Sequence, residues 1–286
     1  VTLSPRPGNP KPRMVRLPEQ RAVMNSMGFP GQGLEPSVKR LQSSQRYKDR
    51  VLVSISGTIE DEIFECLRRS QDFVSGIELN ISSPNTTGLR IFHEPARLRG
   101  LIEGLVSVKK VPLFVKLPPW PRDDENRREL LKLAATAVDA GVDGLVIANT
   151  HPIESSRLQV GRGGLSGAPL FEHTELMIAD IQAQVQGEVA IIACGGVSTG
   201  EHVWKLLASG ASAVQLYTAF IYEGPGLPAR INKRVSKLMS AAGITNIGDI
   251  SGEPPTIRYH RLSPSPHPTL FFVPSPHCAV AFTRVA

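Results

Sequence analysis

The sequence predicts an α/β fold, a TIM (β/α)8 barrel in which the first strand and most of the second are missing. Short apolar runs alternate with longer amphipathic segments along most of the 286 residues, as in parallel strands joined by helices. Polar residues stand at the carboxyl ends of most of these runs, and a barrel gathers such ends around one ligand face. A doubly wound sheet shows the same alternation and is the alternative fold.

Six apolar runs predict the strands of the barrel: residues 51–55, 76–81, 112–117, 144–148, 189–193 and 213–216. Upstream of them, residues 1–3 are interpreted as the end of a strand. Residues 14–17 and 22–24 are interpreted as a hairpin. Because a TIM barrel closes with eight strands, we expect the first strand and nearly all of the second to lie outside this sequence.

Helices are predicted between these strands, where apolar residues recur with a period of about 3.6. The segments are residues 59–70, 95–109, 125–140, 173–185, 200–208 and, beyond the last strand, 228–242. Gly141, Gly210 and Gly243 directly follow three of the segments, as glycine commonly does at a helix C-terminus.

The composition limits the class of protein. With 41% hydrophobic residues the chain can bury a large core, and its net charge of +6 comes from Lys and Arg dispersed over helix-like segments. Such dispersion is typical of a solvated surface, so we expect no nucleic-acid partner, whereas an anionic phosphate-bearing ligand fits the charge. No run approaches the roughly 20 apolar residues of a membrane span. Three scattered cysteines favour a reducing compartment: Cys66, Cys194 and Cys278.

The end of the chain differs from the rest. From about residue 251 the sequence is rich in Pro, Ser and His and has no periodicity. We therefore expect residues 1–250 to form the barrel domain and residues 251–286 to form a disordered tail. His267, His277 and Cys278 in this tail match the spacing of no common metal site, and no metal is expected.

The loop that follows the run at 76–81 has the composition of an active site. Asn80, Asn85 and Thr86 can offer donors and acceptors to a flat polar ligand. The hydroxyl of Ser83 can move a proton.

Two further strand ends carry polar groups that a ligand can use. Asn149 and Thr150 end the run at 144–148, where a turn or capping role is the alternative. Lys116 lies on an apolar strand, and a lysine there is costly unless it meets a partner. It can stabilise negative charge that develops on a bound cofactor or, alternatively, form a Schiff base.

Glycines mark two candidate binding loops. Gly195 and Gly196 lie between an apolar strand and a helix, as in a phosphate loop, and a plain turn is the alternative. Tyr217 and Thr218 end the next strand, and barrels often build a phosphate site from their last two strands. The stretch 163–167 allows close approach of a ligand to the backbone, with a mobile surface loop as the alternative.

Together these motifs resemble those of the dihydroorotate dehydrogenases, flavoenzymes that oxidise dihydroorotate to orotate. The likeness covers residues 1–248. It is carried by the run GIELNISSPNTTGL at 76–89, by 8–19, which looks like the stretch after the family's second strand, and by 215–225, which looks like its eighth strand and following loop. Serine at position 83 is similar to the branch that passes electrons to quinone, whereas the other branch has cysteine.

The resemblance implies FMN as the cofactor and orotate as the product. The implied FMN residues are Lys116, Asn149, Ser166, Gly167, Gly195, Gly196, Leu216, Tyr217 and Thr218. The implied substrate residues are Asn80, Asn85, Thr86, Asn149 and Thr150. Ser83 would take the proton from C5 while hydride leaves C6 for flavin N5. A relay through water or Thr86 would then remove the proton from this weak base.

The chain also departs from the family pattern. Pro30 stands where the family has an asparagine that touches orotate, and Ser54 stands near a flavin-contacting asparagine of the serine branch. The lysine of the family's first strand has no counterpart, nor do the amino-terminal helices that form the quinone tunnel and contact the membrane. We therefore expect the chain to be unstable or weakly active without that segment. The implied location is cytoplasmic, or peripheral on the inner membrane for the full-length protein.

Two other functions fit the same residues. One is a flavin enzyme that reduces or oxidises another pyrimidine, to which Pro30 points and against which Ser83 argues. The other is a non-catalytic remnant that binds FMN or a phosphate ligand, which the missing strands favour.

Overall fold

The computed structural model describes residues 1–82, 88–119, 121, 123–254, 270–275 and 278–283, with the last two segments and residue 90 described by their backbone. The strands are β1 (Met14–Leu17), β2 (Ala22–Asn25), β3 (Leu52–Ile55), β4 (Gly76–Asn80), β5 (Leu113–Lys116), β6 (Gly144–Ile147), β7 (His151–Glu154), β8 (Arg162–Gly167), β9 (Ala190–Cys194), β10 (Ala213–Gln215), β11 (Leu270–Ser275) and β12 (Cys278–Thr283). The α-helices are α1 (Leu34–Ser43), α2 (Glu60–Ser70), α3 (Pro95–Val108), α4 (Asp124–Asp139), α5 (Phe171–Val185), α6 (Gly200–Ala208), α7 (Thr218–Glu223) and α8 (Leu227–Ala242).

A parallel sheet of six strands in the order β10-β9-β6-β5-β4-β3 forms the centre of the fold. All six predicted strands are confirmed to within a residue or two at each end. Their order across the sheet follows their order in the chain, as it does around a barrel. In a doubly wound sheet the spatial order of the strands reverses at a switch point. No such reversal occurs among the described strands of this sheet, so that alternative is wrong.

The two faces of this sheet are buried in different ways. Side chains such as Ile77, Leu79 and Val115 belong to the main hydrophobic core, which includes the buried faces of the surrounding helices. On the opposite face a smaller apolar cluster forms around Val146, Ile192 and Ala213, with Phe114 and Cys194 packed against it. Because side chains alternate along a strand, this second cluster lies on the inner, concave side expected of a barrel.

The predicted helices are confirmed, and their sequences explain their ends. Asp123 caps α4 by accepting a hydrogen bond of 2.9 Å from the backbone N–H of Asn126. Helix α8 is followed directly by Gly243, whose φ of +70° is the left-handed conformation that glycine adopts without strain. No helix in the described parts of the chain combines the length and hydropathy needed to cross a bilayer.

A second, antiparallel sheet in the order β1-β2-β8-β7 contains the predicted hairpin, which is confirmed as β1 and β2. The interpretation of residues 163–167 as a loop is wrong, because they belong to β8 and pair with both β2 and β7. Glycine is needed there because the backbone of β8 packs closely against neighbouring atoms. A Cβ at Gly164 would lie 2.0 Å from Thr150 Oγ1, and one at Gly163 would lie 2.4 Å from the carbonyl oxygen of Asn25.

Both ends of the described chain join this framework. The expected strand end at residues 1–3 is not part of a named strand, although the N–H of Ser56 donates to the carbonyl of Val1 at 2.9 Å. At the other end, buried Trp204 on α6 donates its indole N–H to the carbonyl of Gly252 at 3.0 Å. Strands β11 and β12 pair antiparallel within the predicted tail. The division into residues 1–250 and 251–286 stays a prediction.

Candidate active site

A cavity of about 1200 Å³ opens at the carboxyl ends of the central strands. It exceeds the roughly 300–1000 Å³ of a typical small-molecule site, so a cofactor and a substrate have room together. Every predicted site residue that the structure describes lines it: Asn80, Lys116, Asn149, Thr150, Ser166, Gly167, Gly195, Gly196, Leu216, Tyr217 and Thr218. Ser83, Asn85 and Thr86 lie outside the described residues.

Charged and polar side chains form the floor of this cavity. Lys116 at the end of β5 and Glu78 on β4 are both buried, and the Lys116 ammonium lies 3.8 Å from Glu78 Oε2. The same ammonium is 3.5 Å from Gln215 Oε1 and 3.6 Å from Cys194 Sγ. Lys116 was predicted to need a partner, and the structure places a carboxylate beside it. This pairing offsets the free-energy cost of burying the ammonium. Sequence analysis missed Glu78 and Gln215, because they face the cavity from strands that are distant in sequence.

Three side chains fix one wall of the cavity above Glu78. Asn149 Nδ2 donates to Ser82 Oγ at 3.0 Å, and Ser82 Oγ donates to Asn80 Oδ1 at 3.2 Å. The second acceptor, Asn149 Oδ1, receives the N–H of Thr150 at 2.7 Å. These bonds fix the orientation of both amides, so their remaining donors and acceptors have defined positions. Sequence analysis did not single out Ser82, although its place beside Ser83 was a signal.

Gly195 and Gly196 form a tight loop before α6. Their φ angles are +152° and +71°, and a Cβ at Gly196 would lie 2.4 Å from the backbone nitrogen of Phe171. Only glycine fits this path. The loop precedes the free N–H groups at the start of α6, where Thr199 Oγ1 accepts from the N–H of His202 at 3.1 Å. A helix N-terminus beside a glycine turn is a favourable place for a phosphate.

His202 on the first turn of α6 lies against this loop and was missed by sequence analysis. Its ring stacks on Phe171 with centroids 3.9 Å apart. Burial lowers the pKa of His202, while a hydrogen bond to the backbone of Gly196 acts in the opposite direction. The net effect is a pKa below the ordinary histidine value, which favours the neutral imidazole.

The opposite wall joins the two sheets. Thr218 Oγ1 donates to Ser166 Oγ at 2.8 Å, and Ser166 Oγ donates to the carbonyl of Val23 at 3.1 Å. Tyr222 on α7 donates to the carbonyl of Ala22 at 2.7 Å. These bonds hold β8, β2 and the start of α7 around one side of the cavity, so Ser166 and Thr218 are fixed relative to each other.

Replacing Gly196 by alanine should destabilise the protein by about 1–3 kcal/mol, because the positive φ and the contact with Phe171 both oppose a Cβ. If the loop binds the phosphate of the FMN that the resemblance implies, FMN should also bind at least about tenfold more weakly, since the loop N–H groups would move. Urea unfolding and flavin fluorescence titration measure the two effects. Exposed Gly100 on α3 is the control, because a Cβ there meets nothing within 4 Å. Gly100→Ala should stabilise by about 0.5–1 kcal/mol. Equal effects at both glycines would contradict the prediction.

The family model described as dihydroorotate dehydrogenase matches residues 1–239. The chain belongs to the dihydroorotate dehydrogenase family. The dihydroorotate dehydrogenase (quinone) of Parvibaculum lavamentivorans is 36% identical over 264 residues, which are 88% of this chain and 74% of that protein. The one of Brucella anthropi is 36% identical over 271 residues, 86% of this chain and 72% of that protein.

Solved structures of the dihydroorotate dehydrogenase family share this fold. DHODH from Eimeria tenella is 32% identical and covers 88% of this chain, both in complex with ferulenol and ligand-free. The TM-scores are 0.77 and 0.79, and the match extends over 76% and 79% of those chains. The predicted resemblance and the barrel-type fold are thereby confirmed. The roles of the individual cavity residues stay predictions.

Proposed function

We propose that this chain is a quinone-dependent dihydroorotate dehydrogenase, which oxidises dihydroorotate to orotate in pyrimidine biosynthesis. The observation that carries the proposal is the joint placement of oriented amides, a buried lysine and a glycine loop around one cavity of a family member. Relatives named dihydroorotate dehydrogenase (quinone) support the acceptor. A cytoplasmic location, or a peripheral one on the inner membrane for the full-length protein, belongs to the same proposal.

The cavity fits FMN by the chemistry of its lining. The Gly195–Gly196 loop and the N-terminus of α6 suit the phosphate, and the buried Lys116 ammonium suits the pyrimidine end of the isoalloxazine ring. The other proposed FMN residues line the same cavity: Asn149, Ser166, Gly167, Leu216, Tyr217 and Thr218. When bound, FMN supplies the acceptor for the hydride from C6 of the substrate.

The amide wall suits the other reactant. Dihydroorotate carries an imide, an amide and a carboxylate, so it needs donors and acceptors held in one plane. Asn80 and Asn149 have fixed orientations through Ser82, and Thr150 follows directly. We assign them to substrate positioning, which lowers the entropy cost of reaching the reactive geometry. Asn85 and Thr86 are assigned to the substrate as well, from the sequence.

Ser83 is proposed as the base that takes the C5 proton. It directly follows Ser82, whose side chain is buried and bonded to both amides. A serine hydroxyl is a weak base, so it must pass its own proton on as it takes the substrate proton. Thr86 or a water molecule is the proposed recipient.

The proposed activity is tested with purified protein and dihydroorotate in the presence of a soluble quinone, fumarate or NAD. We expect orotate to form with quinone and to form slowly or not at all with the other two acceptors. Turnover of dihydrouracil but not of dihydroorotate would favour an enzyme of another pyrimidine. Stoichiometric FMN without turnover of either compound would favour the non-catalytic remnant, and both outcomes would overturn the proposal.

Replacing Pro30 by asparagine is expected to lower the KM for dihydroorotate. Pro30 lines the cavity, and the resemblance places a substrate-contacting asparagine at this position. One added hydrogen bond of about 1 kcal/mol corresponds to a KM about 3- to 10-fold lower. Steady-state kinetics with quinone measure it, and the affinity for FMN serves as the control because it should not change. An unchanged or higher KM would show that Pro30 does not stand in a substrate contact.

A further inference from the structure

The floor of the cavity contains a buried carboxylate for which the proposed reaction has no direct use. Glu78 is 3% exposed and lies in the middle of β4, a strand that is otherwise apolar up to Asn80. A buried carboxylate costs several kcal/mol unless it is paired and hydrogen-bonded. Its presence next to Lys116 therefore calls for a physical account.

Both oxygens of Glu78 accept hydrogen bonds from side chains of other strands, one from the adjacent β3 and one from β10 at the far end of the sheet. Oε1 accepts from Ser54 Oγ at 2.7 Å, and Oε2 accepts from Gln215 Nε2 at 3.2 Å. Gln215 faces both charges, because its Oε1 is 3.5 Å from the Lys116 ammonium. The direct separation of 3.8 Å between Lys116 Nζ and Glu78 Oε2 is too long for a strong hydrogen bond. The two charges are thus coupled by electrostatics and by a shared amide.

The surroundings make this coupling strong. The inner face of the sheet also carries the apolar cluster of Phe114, Val146, Ile192 and Ala213. Apolar neighbours keep the local dielectric constant low, so a nearby charge is screened far less than at the surface. The strands also fix the geometry, since Ser54 pairs with Glu78 and Asn80 pairs with Lys116 in the register of the sheet.

We propose that Glu78 is a positioning residue that acts through Lys116 and lowers the reduction potential of the bound flavin. The inference rests on the proposed function, in which Lys116 lies at the pyrimidine end of FMN. Transfer of a hydride adds one negative charge to the flavin, and the ammonium favours that charge. The Glu78 carboxylate holds the ammonium in place and offsets part of its positive potential, which makes the reduced flavin a stronger donor to the next acceptor.

The direct test is the flavin midpoint potential of Glu78→Gln, measured by dye equilibration without dihydroorotate. Glutamine keeps the size and hydrogen-bonding capacity and removes the charge. We expect the potential to rise, with reduced flavin favoured about tenfold, which is about 30 mV for two electrons. Glu103→Gln is the matched control, because it makes the same change at an exposed ion pair with Arg99 on α3, outside the cavity. Glu78→Asp should fall between wild type and Glu78→Gln.

A second measurement tests whether Glu78 and Lys116 are coupled. This measurement can be made on protein without flavin. Urea unfolding of Glu78→Gln, Lys116→Met and the double variant forms a double-mutant cycle. We expect each single variant to lower the urea concentration at the unfolding midpoint. The decrease in the double variant should be less than half of the sum of the two single decreases, because the double variant leaves neither charge of this pair without its partner. Additive losses would overturn the proposal, as would a potential that stays constant in Glu78→Gln or moves equally in Glu103→Gln.

The two hypotheses fail in different ways. If the wild-type protein does not oxidise dihydroorotate but Glu78→Gln still shows the shifted flavin potential, only the proposed function is overturned. Normal oxidation of dihydroorotate without a potential shift in Glu78→Gln would overturn the role of Glu78 alone. If Glu78→Gln does not fold with flavin, Glu78→Asp supplies the potential and the cycle supplies the coupling.

Discussion

Replacing Ser83 by alanine is expected to lower kcat for dihydroorotate by about 10²- to 10⁴-fold, the usual contribution of a positioned general base. FMN should remain bound with unchanged affinity, since the residues proposed to hold it belong to other strands and loops. Stopped-flow measurement of flavin reduction isolates the step that needs the base. Retention of more than about a tenth of the wild-type rate would remove Ser83 from this role.

Two variants control this experiment. Ser75→Ala makes the same change at the amino end of β4, where Ser75 Oγ donates to the carbonyl of Val51 at 2.9 Å far from the amide wall. It should keep the wild-type rate. Ser83→Cys should recover part of the lost rate, with activity rising as pH approaches the ordinary thiol pKa of about 8.5, because the thiolate is the stronger base.

Replacing Lys116 by methionine is expected to lower the free energy of unfolding by about 3–5 kcal/mol, because it removes the lysine cation that pairs with the buried Glu78 carboxylate. The variant should also lose most of its affinity for FMN. Urea unfolding measures the first effect and flavin fluorescence the second.

The matched control is Lys110→Met, which breaks an exposed ion pair with Asp72. Exposed pairs contribute about 0–1 kcal/mol, so its stability should change little. Comparable losses at Lys110 and Lys116 would contradict the view that burial gives the Lys116 pair its importance. Unchanged FMN affinity in Lys116→Met would remove Lys116 from the cofactor site.

The central sheet and most of the cavity could be predicted from the sequence because their signals are local. Buried parallel strands such as β4 and β6 are continuous apolar runs, and the polar residue that ends each run marks the ligand face. Asn80, Lys116 and Asn149 were assigned to one face in this way, and all three line the cavity. Gly195 and Gly196 were recognisable because a glycine pair between a strand and a helix is the form of a phosphate loop, with a plain turn as the alternative.

The parts that could not be predicted depend on tertiary contacts. Strand β8 contains three glycines and has a weak intrinsic preference for extended structure, yet β2 and β7 pair with it on both sides. Strand β7 contains Pro152 and lies at the edge of its sheet, where proline is tolerated. The Glu78–Gln215 contact joins residues 137 positions apart, and nothing local in the sequence announces it.

The most direct test of the proposed function is a single-turnover experiment in which flavin reduction is measured before any electron acceptor is added. The FMN-loaded protein is mixed anaerobically with dihydroorotate, and the visible absorption of the flavin is followed in time. The proposed function predicts that the absorption bleaches, that one orotate forms for each flavin reduced, and that added quinone restores the oxidised spectrum. A flavin that dithionite bleaches but dihydroorotate does not would contradict it.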